Sequence, residues 1–462
     1  MSSRPSWRLL LSACFVGLAV RLCLVATVPV INDDDTLFYA EIAQTWLNHG
    51  VYGQMIEGIP MPTYVRLPGY PAFLAVVFTL FGPNHYGPVL LIQALVDVGT
   101  CFLIAALALA MIGEGAALGA LWVSVLCPFT ANYAAVALTE TVSVFLTSLA
   151  LWSAVQGLLS LAGPTQWGAT WWLLCGLGIG GATLFRPDGI LLLMALWGFL
   201  GWQLVRSRGK SKILLAGMVT AGVVATMLAP WTVRNWVVFH EFEPLAPRYS
   251  NDPGEYVAVG FNQWFKTWPV EFASLYDIFW KVGSEDVRSV DLTEIPPQAA
   301  DSPRERQQLL ALFTTFNKRH ALTPDLDAQF AELARQRIAR HPVHYYVSLP
   351  ALRIADMWFR PRTEQLRLEH HWWRFHPLRE SLFSVGYALL NALLVMTAVV
   401  GMGKFRHAPG AGLVIGFVVL RSAFLGTLEN PEPRYVLECF PVILTFAGAQ
   451  AYALWQRYSS RP

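Results

Sequence analysis

The sequence predicts an all-α polytopic membrane protein: a bundle of about ten to eleven transmembrane helices with interfacial helices and one outer helical domain. Two observations carry this. The chain of 462 residues is 55% hydrophobic and only 14% charged, with a mean hydropathy of +0.43, whereas soluble domains carry about a quarter charged residues. The apolar residues also gather into runs of the length that crosses a bilayer, about 20 residues.

Those runs lie at 9–30, 86–112, 115–132, 137–158, 169–185, 189–205, 213–230, 380–402, 410–428 and 435–455. The run 70–82, "YPAFLAVVFTLFG", is shorter and is bracketed by Pro68, Pro71 and Gly82-Pro83. It reads as interfacial or re-entrant, with a tilted short span as the alternative. If it does not cross, "RPSWR", "RSRGKSK", "GKFRHAPG" and "QRYSSRP" share one side, and the acidic pieces "NDDD", "LTE" and "ENPEPRY" share the other. The positive-inside rule then puts both termini in the cytoplasm and the acidic face outside the plasma (inner) membrane. Arg4 and Arg8 precede the first run and no A-x-A-like site follows, which reads as an uncleaved anchor. Three parts result: a transmembrane module at 1–230 with a first outer loop at 31–85, an outer segment at 231–379, and closing spans at 380–462.

The outer segment shows helical spacing at 304–320 and at 325–340, where Phe330, Leu333, Arg337 and Ile338 share a face before Pro342 stops the helix. The stretch 343–359, rich in Tyr and Trp and carrying Arg353 and Asp356, suits a helix lying in the membrane interface.

Several function classes drop out. No clustered basic face accompanies the net charge of +2, so nucleic acid is not a predicted partner. The six cysteines lie in apolar runs without a CxxC pair. There is no P-loop, GxSxG or HExxH. The histidines of "EHHWWRFH" lack acidic or Cys partners at the fixed spacing a metal site needs.

The chemistry concentrates at span ends. In "INDDDTLFYAEIAQTWLNHG", three aspartates follow directly on the first apolar run. One aspartate suffices to cap the helix that "TLFYAEIAQTWL" begins. Three in a row add repulsion without structural benefit, so capping alone and capping plus catalysis both stand as readings of Asp34 and Asp35. Glu140 in "VALTETVSVFL" opens the span at 137–158; it is either a helix-dipole acid with Thr139 as cap or a second acidic group. Two acidic sites on one surface suit a divalent cation, Mg2+ or Mn2+, or a split of acid and base roles. Arg66, Arg186, Arg234 and Arg434 sit where spans meet the same surface. Singly each reads as a snorkelling arginine; together they suit an anionic lipid headgroup, because guanidinium matches phosphate bidentately. Arg21 and Arg421 lie within spans, where a charge needs a partner or a polar cavity.

The ordered set "DDDTLFYAEIAQTWLNHGVY", "RLPGYPAFLAVVFTLFG", "ALTETVSVFLTSLAL", "LFRPDGILLL", "PWTVRNW", "HPVHYY" and "PEPRY" resembles the GT-C superfamily of polytopic glycosyltransferases, in its protein-mannosyltransferase and aminoarabinose-transferase-like branch. The resemblance fades across about 241–335. It implies a polyprenyl-phosphate sugar donor, a lipid, glycan or protein acceptor, and inversion at the anomeric carbon. It also implies a catalytic acid in the first outer loop. By that register Asp35 heads "DTLFY" with Tyr39 as the aromatic, and Asp34 is its neighbour. Thr36 stands where many members have a second acid, which leaves the choice between the aspartates open. Glu140 matches the second acidic position, and the arginines at 66, 186, 234 and 434 match headgroup contacts. A transporter or lipid flippase is the competing reading, and it predicts ionisable groups buried in mid-span. A membrane assembly protein that docks through 231–379 is a third.

Overall fold

The computed structural model of the chain describes residues 7–28, 34–162, 168–206, 210–283 and 288–459. Packing divides the chain into two compact units, one of Met1–Gly254, Leu393–Leu420 and Leu437–Pro462, the other of Glu255–Ala392 and Arg421–Val436.

The first unit opens with α1 (Trp7–Thr27) and then α2 (Asp34–His49), which buries Ala40, Ile42 and Ala43. A left-handed Gly50, at φ +70°, ends α2 and donates its N–H to the Trp46 carbonyl at 3.0 Å. An antiparallel hairpin follows, β1 (Gly53–Ile56) and β2 (Ile59–Pro62), with Ile56 opposite Ile59. Its two turn residues, Glu57 and Gly58, both have positive φ, as a type I′ turn requires. The sequence reading expects no strands here. Helix α3 (Gly69–Phe81) has 13 residues. It rises about 20 Å, short of the roughly 30 Å of hydrocarbon.

Helix α4 (Tyr86–Met111) is followed by α5 (Glu114–Val125) and α6 (Pro128–Ala134), bent by 53° where one straight span was expected over 115–132. The composition there is continuous, but Pro128 has no N–H for the preceding turn. Arg21 of α1 supplies donors instead, to the carbonyls of Ser124 at 3.3 Å and Val125 at 2.5 Å. Its charge is met by Asp97 of α4 at 2.8 Å, and both side chains are buried. This supplies the partner that a buried arginine needs.

Next come α7 (Glu140–Ala162), α8 (Ala169–Phe185), α9 (Ile190–Arg206) and α10 (Lys210–Phe239). The last continues through Pro230, past the expected end at 230. A later helix of this unit packs against α5 at glycines: a Cβ on Gly448 would collide with the Ala120 backbone.

The second unit has an aromatic core that includes Phe261, Trp264, Phe313 and Phe330. It is built from α11 (Val259–Phe265), the short α12 (Trp280–Gly283), α13 (Pro303–Arg319), α14 (Pro324–Arg340) and α15 (Leu349–Phe359). The two helices expected near 304–320 and 325–340 are α13 and α14. Ser302 caps α13 by accepting the Glu305 N–H at 3.2 Å. Asp327 of α14 accepts the N–H groups of Gly260 and Phe261 at 3.0 and 2.7 Å and so caps α11.

Helices α16 (Leu378–Lys404) and α17 (Ala411–Gly426) contribute to both units, and α18 (Phe440–Ser459) closes the first. Among the described residues, seven helical spans are long and apolar enough to cross a bilayer: α1, α4, α7, α10 and α16, with α9 and α18 each counted together with the 3-10 segment before it, from Pro187 and from Pro433. The bent pair α5–α6 passes that test when joined, and α3, α8 and α17 are shorter apolar helices.

Candidate functional site

Helix α2 places Asp35 and Tyr39 one turn apart on the same face. Asp35 Oδ1 accepts from Arg66 Nη2 at 2.8 Å. Arg66 follows the hairpin, and its position is set locally: the Tyr52 hydroxyl donates to the Arg66 carbonyl at 2.9 Å, and the guanidinium lies 5.0 Å over the Phe38 ring. Arg66 Nη1 also donates to Ser250 Oγ at 3.2 Å. Thr36 is buried and donates to the Ala137 carbonyl at 3.1 Å.

A second carboxylate–guanidinium pair starts α7. Glu140 Oε1 accepts from Arg186 Nη1 at 2.8 Å. Arg186 ends α8 in an extended conformation and also faces Glu438 at 3.1 Å and Asp188 at 3.4 Å. One guanidinium thus serves three carboxylates.

Tyr39 joins the two pairs. Its ring meets Tyr70 edge-on at 5.2 Å. Burial first and Asp35 second push its phenol pKa up; Glu140 adds to the rise, while Arg66 and Arg186 oppose it. The fold therefore gathers Asp35, Tyr39, Arg66, Glu140 and Arg186, drawn from sequence positions as far apart as 35 and 186, into one neighbourhood.

Asp33 and the side chain of Asp34 lie outside the described residues. Arg234 of α10 donates to the carbonyls of Tyr52 at 2.7 Å and Thr63 at 2.8 Å, so it braces both ends of the hairpin. Arg434 belongs to the second unit and pairs with Glu432 at 2.6 Å. Arg421, also in the second unit, is buried and donates to the Tyr435 carbonyl at 2.9 Å.

The sequence reading missed Asp188 and Glu438 around Arg186, and Asp97 opposite Arg21. A signal existed for each. Asp188 lies inside the quoted "RPDG", Glu438 lies four residues past Arg434, and Asp97 is the one acid in the run 86–112. The histidines also have partners that sequence spacing hides: His371 sits between Asp277, at 3.0 Å from Nε2, and Glu369, at 2.9 Å from Nδ1. Among the described residues no group of three or more His, Cys, Asp or Glu side chains is placed to hold a metal ion.

Residues 63–231 match the family model described as dolichyl-phosphate-mannose-protein mannosyltransferase. No curated protein matches the chain in sequence. Among solved structures, the archaeal oligosaccharyltransferase AglB from Archaeoglobus fulgidus, in complex with an inhibitory peptide and a dolichol-phosphate, superposes with a TM-score of 0.57 at 12% identity, over 97% of this chain and 50% of that one. The apo form of the Archaeoglobus enzyme gives 0.56 at 13% identity, over 98% and 51%. ArnT from Cupriavidus metallidurans bound to undecaprenyl phosphate gives 0.43 at 15% identity, over 96% and 78%. The chain spans about half the length of the oligosaccharyltransferase it matches.

Proposed function

We propose that this chain, a polytopic membrane protein with the GT-C fold, transfers a sugar from a polyprenyl-phosphate donor to an acceptor hydroxyl at the outer membrane surface. The observation that carries this reading is the meeting of two carboxylate–guanidinium pairs, Asp35–Arg66 and Glu140–Arg186, about Tyr39. The family model over 63–231 and the dolichol-phosphate held by the archaeal structure support the class of donor. Both termini are assigned to the cytoplasm, on the distribution of Lys and Arg.

Exposure supports a division of roles. The Asp35 and Arg66 side chains are 19% and 25% exposed, while Glu140 is 1% exposed. The accessible pair meets substrate and the buried pair shapes the field around it. The acceptor oxygen attacks the anomeric carbon as the bond from that carbon to the phosphate oxygen breaks. The bonding pair leaves with the phosphate, and attack from the opposite side inverts the centre. The hydroxyl proton passes to Asp35, or to Asp34 beside it. Arg66 stabilises the charge that develops on the departing phosphate. Arg186, engaged by three carboxylates, tunes Glu140 rather than binding phosphate, and Arg234 acts by holding the hairpin.

A divalent cation such as Mg2+ or Mn2+ does not fit the described residues. Asp35 and Glu140 each hold a guanidinium, and among the described residues no group of three or more His, Cys, Asp or Glu side chains converges there.

The flippase reading has one feature in its favour, the buried Arg21–Asp97 pair within the spans. Arg21 is also bound to the carbonyls at the α5–α6 break, which gives the pair a bracing role. Purified protein in liposomes separates the two readings. The transferase cleaves the sugar–phosphate bond of one donor in a panel of polyprenyl-phosphate sugars. A flippase moves the lipid between leaflets and leaves that bond intact.

A further inference from the structure

We infer that Gln93, buried in α4, is a positioning residue that locks the two halves of the candidate site together. The inference rests on the functional reading above for its effect on turnover, but its geometry stands alone. The Gln93 side chain is fully buried, and its amide works in both directions. Nε2 donates to the Val136 carbonyl at 2.7 Å, with longer approaches of 3.5 Å to the carbonyls of Tyr133 and Ala134. Oε1 accepts from the Tyr70 hydroxyl at 2.8 Å.

Each end of this amide leads to one half of the site. The segment 135–139 between α6 and α7 is buried and irregular, and it delivers Glu140 to Arg186. Buried backbone outside a helix needs donors for its carbonyls. Gln93 supplies one to Val136, and Thr36, next to Asp35 in the chain, supplies one to Ala137 at 3.1 Å. On the other side, Tyr70 carries the link to Tyr39 through an edge-on ring contact at 5.2 Å, and Tyr39 lies one turn from Asp35. Gln93 therefore fixes the spacing between the Asp35–Arg66 pair and the Glu140–Arg186 pair without touching either. A hydrocarbon side chain of similar volume would fill the space and leave the Tyr70 hydroxyl without this acceptor.

The test uses the full-length protein in detergent or nanodiscs, with Gln93→Leu, Gln93→Glu and Tyr70→Phe. Amide hydrogen exchange is the readout that needs no substrate. In Gln93→Leu, exchange across 134–141 and across 36–43 should speed up together, by about tenfold or more, while the middle of α7 is unchanged. In the donor assay, kcat should fall by about tenfold to 100-fold with donor KM little changed, because the two pairs are displaced rather than removed. Gln93→Glu supplies the conservative rescue. A buried carboxyl kept neutral donates to Val136 and accepts from Tyr70, so this variant should match wild type at low pH and lose turnover as pH rises. Tyr70→Phe should add little to Gln93→Leu, since both break one chain. A folded Gln93→Leu protein with wild-type exchange in both segments overturns the inference. If Gln93→Leu does not fold, Gln93→Glu and Tyr70→Phe decide it by the same exchange measurement. If wild type consumes no donor, the functional reading fails, and the exchange data still judge the lock.

Discussion

The guanidinium of Arg186 lies 2.8 Å from the carboxylate of Glu140, which is almost wholly buried. Asp188 and Glu438 crowd the same cation. Removing one partner of a buried pair leaves the other uncompensated, typically at about 3–5 kcal/mol. Arg186→Met strands three carboxylates, whereas Glu140→Gln leaves Arg186 with two. Thermal unfolding should therefore show Arg186→Met as the more damaging substitution, with Glu140→Gln well closer to wild type. Equal losses would mean that Asp188 and Glu438 do not feel the guanidinium.

Arg21 and Asp97 give a second test of the same physics. Both are buried, but Arg21 also donates to the carbonyls of Ser124 and Val125. Asp97→Leu alone leaves a buried cation and should destabilise strongly. Adding Arg21→Met should recover part of that loss, because the charge has gone. Recovery should stay incomplete, since the Val125 carbonyl at the bend loses its Arg21 donor. Full recovery in a melting experiment would show that Arg21 contributes nothing to the α5–α6 break.

The second unit should lose stability on mild acidification. His370 stacks on Tyr276 at 3.9 Å between centroids, and burial first and Arg360 second push its pKa down from 6.5 to about 4. The unfolded chain therefore takes up a proton near pH 6.5 that the folded chain refuses until about pH 4. Stability is intact above pH 6.5 and is lost as pH falls through that window, by an amount on the order of 1–3 kcal/mol after allowing for partial exposure. Glu369, held down by its bond to His371, acts in the same direction; Asp277, whose pKa burial raises, opposes it at lower pH. His370→Phe keeps the ring stacking and should flatten the dependence of melting temperature on pH between 7 and 5. An unchanged slope would assign the effect to other groups.

The fold was legible where composition changes abruptly and hidden where it does not. Apolar runs marked α1, α4, α7, α16 and α18 because nothing else produces 20 such residues in a row. The break after Val125 was hidden because Leu126 and Cys127 are as apolar as their neighbours; only Pro128 signals it. The hairpin at 53–62 was hidden because its strands have four residues each, with Glu57-Gly58 as the sole turn cue. Candidate residues at span ends could be named one by one, since charge beside hydrocarbon is conspicuous. Which of them meet could not be read, because Asp35, Glu140, Arg186 and Glu438 come together only through tertiary packing. Arg234 shows the limit from the other side: its position at a span end suggests a headgroup contact, and nothing in the sequence announces that its guanidinium holds the Tyr52 and Thr63 carbonyls.

The central claim is that the accessible carboxylate on α2 takes the acceptor proton. It is tested most directly by turnover of polyprenyl-phosphate sugars in liposomes, with wild type beside Asp35→Asn and Asp34→Asn. The account predicts that wild type cleaves one donor of the panel. One folded Asn variant, with unchanged melting and with its amide oxygen still able to accept a hydrogen bond, should lose at least about 100-fold in kcat. If both variants turn over donor at the wild-type rate, the aspartates only cap α2, and the assignment of the site is wrong.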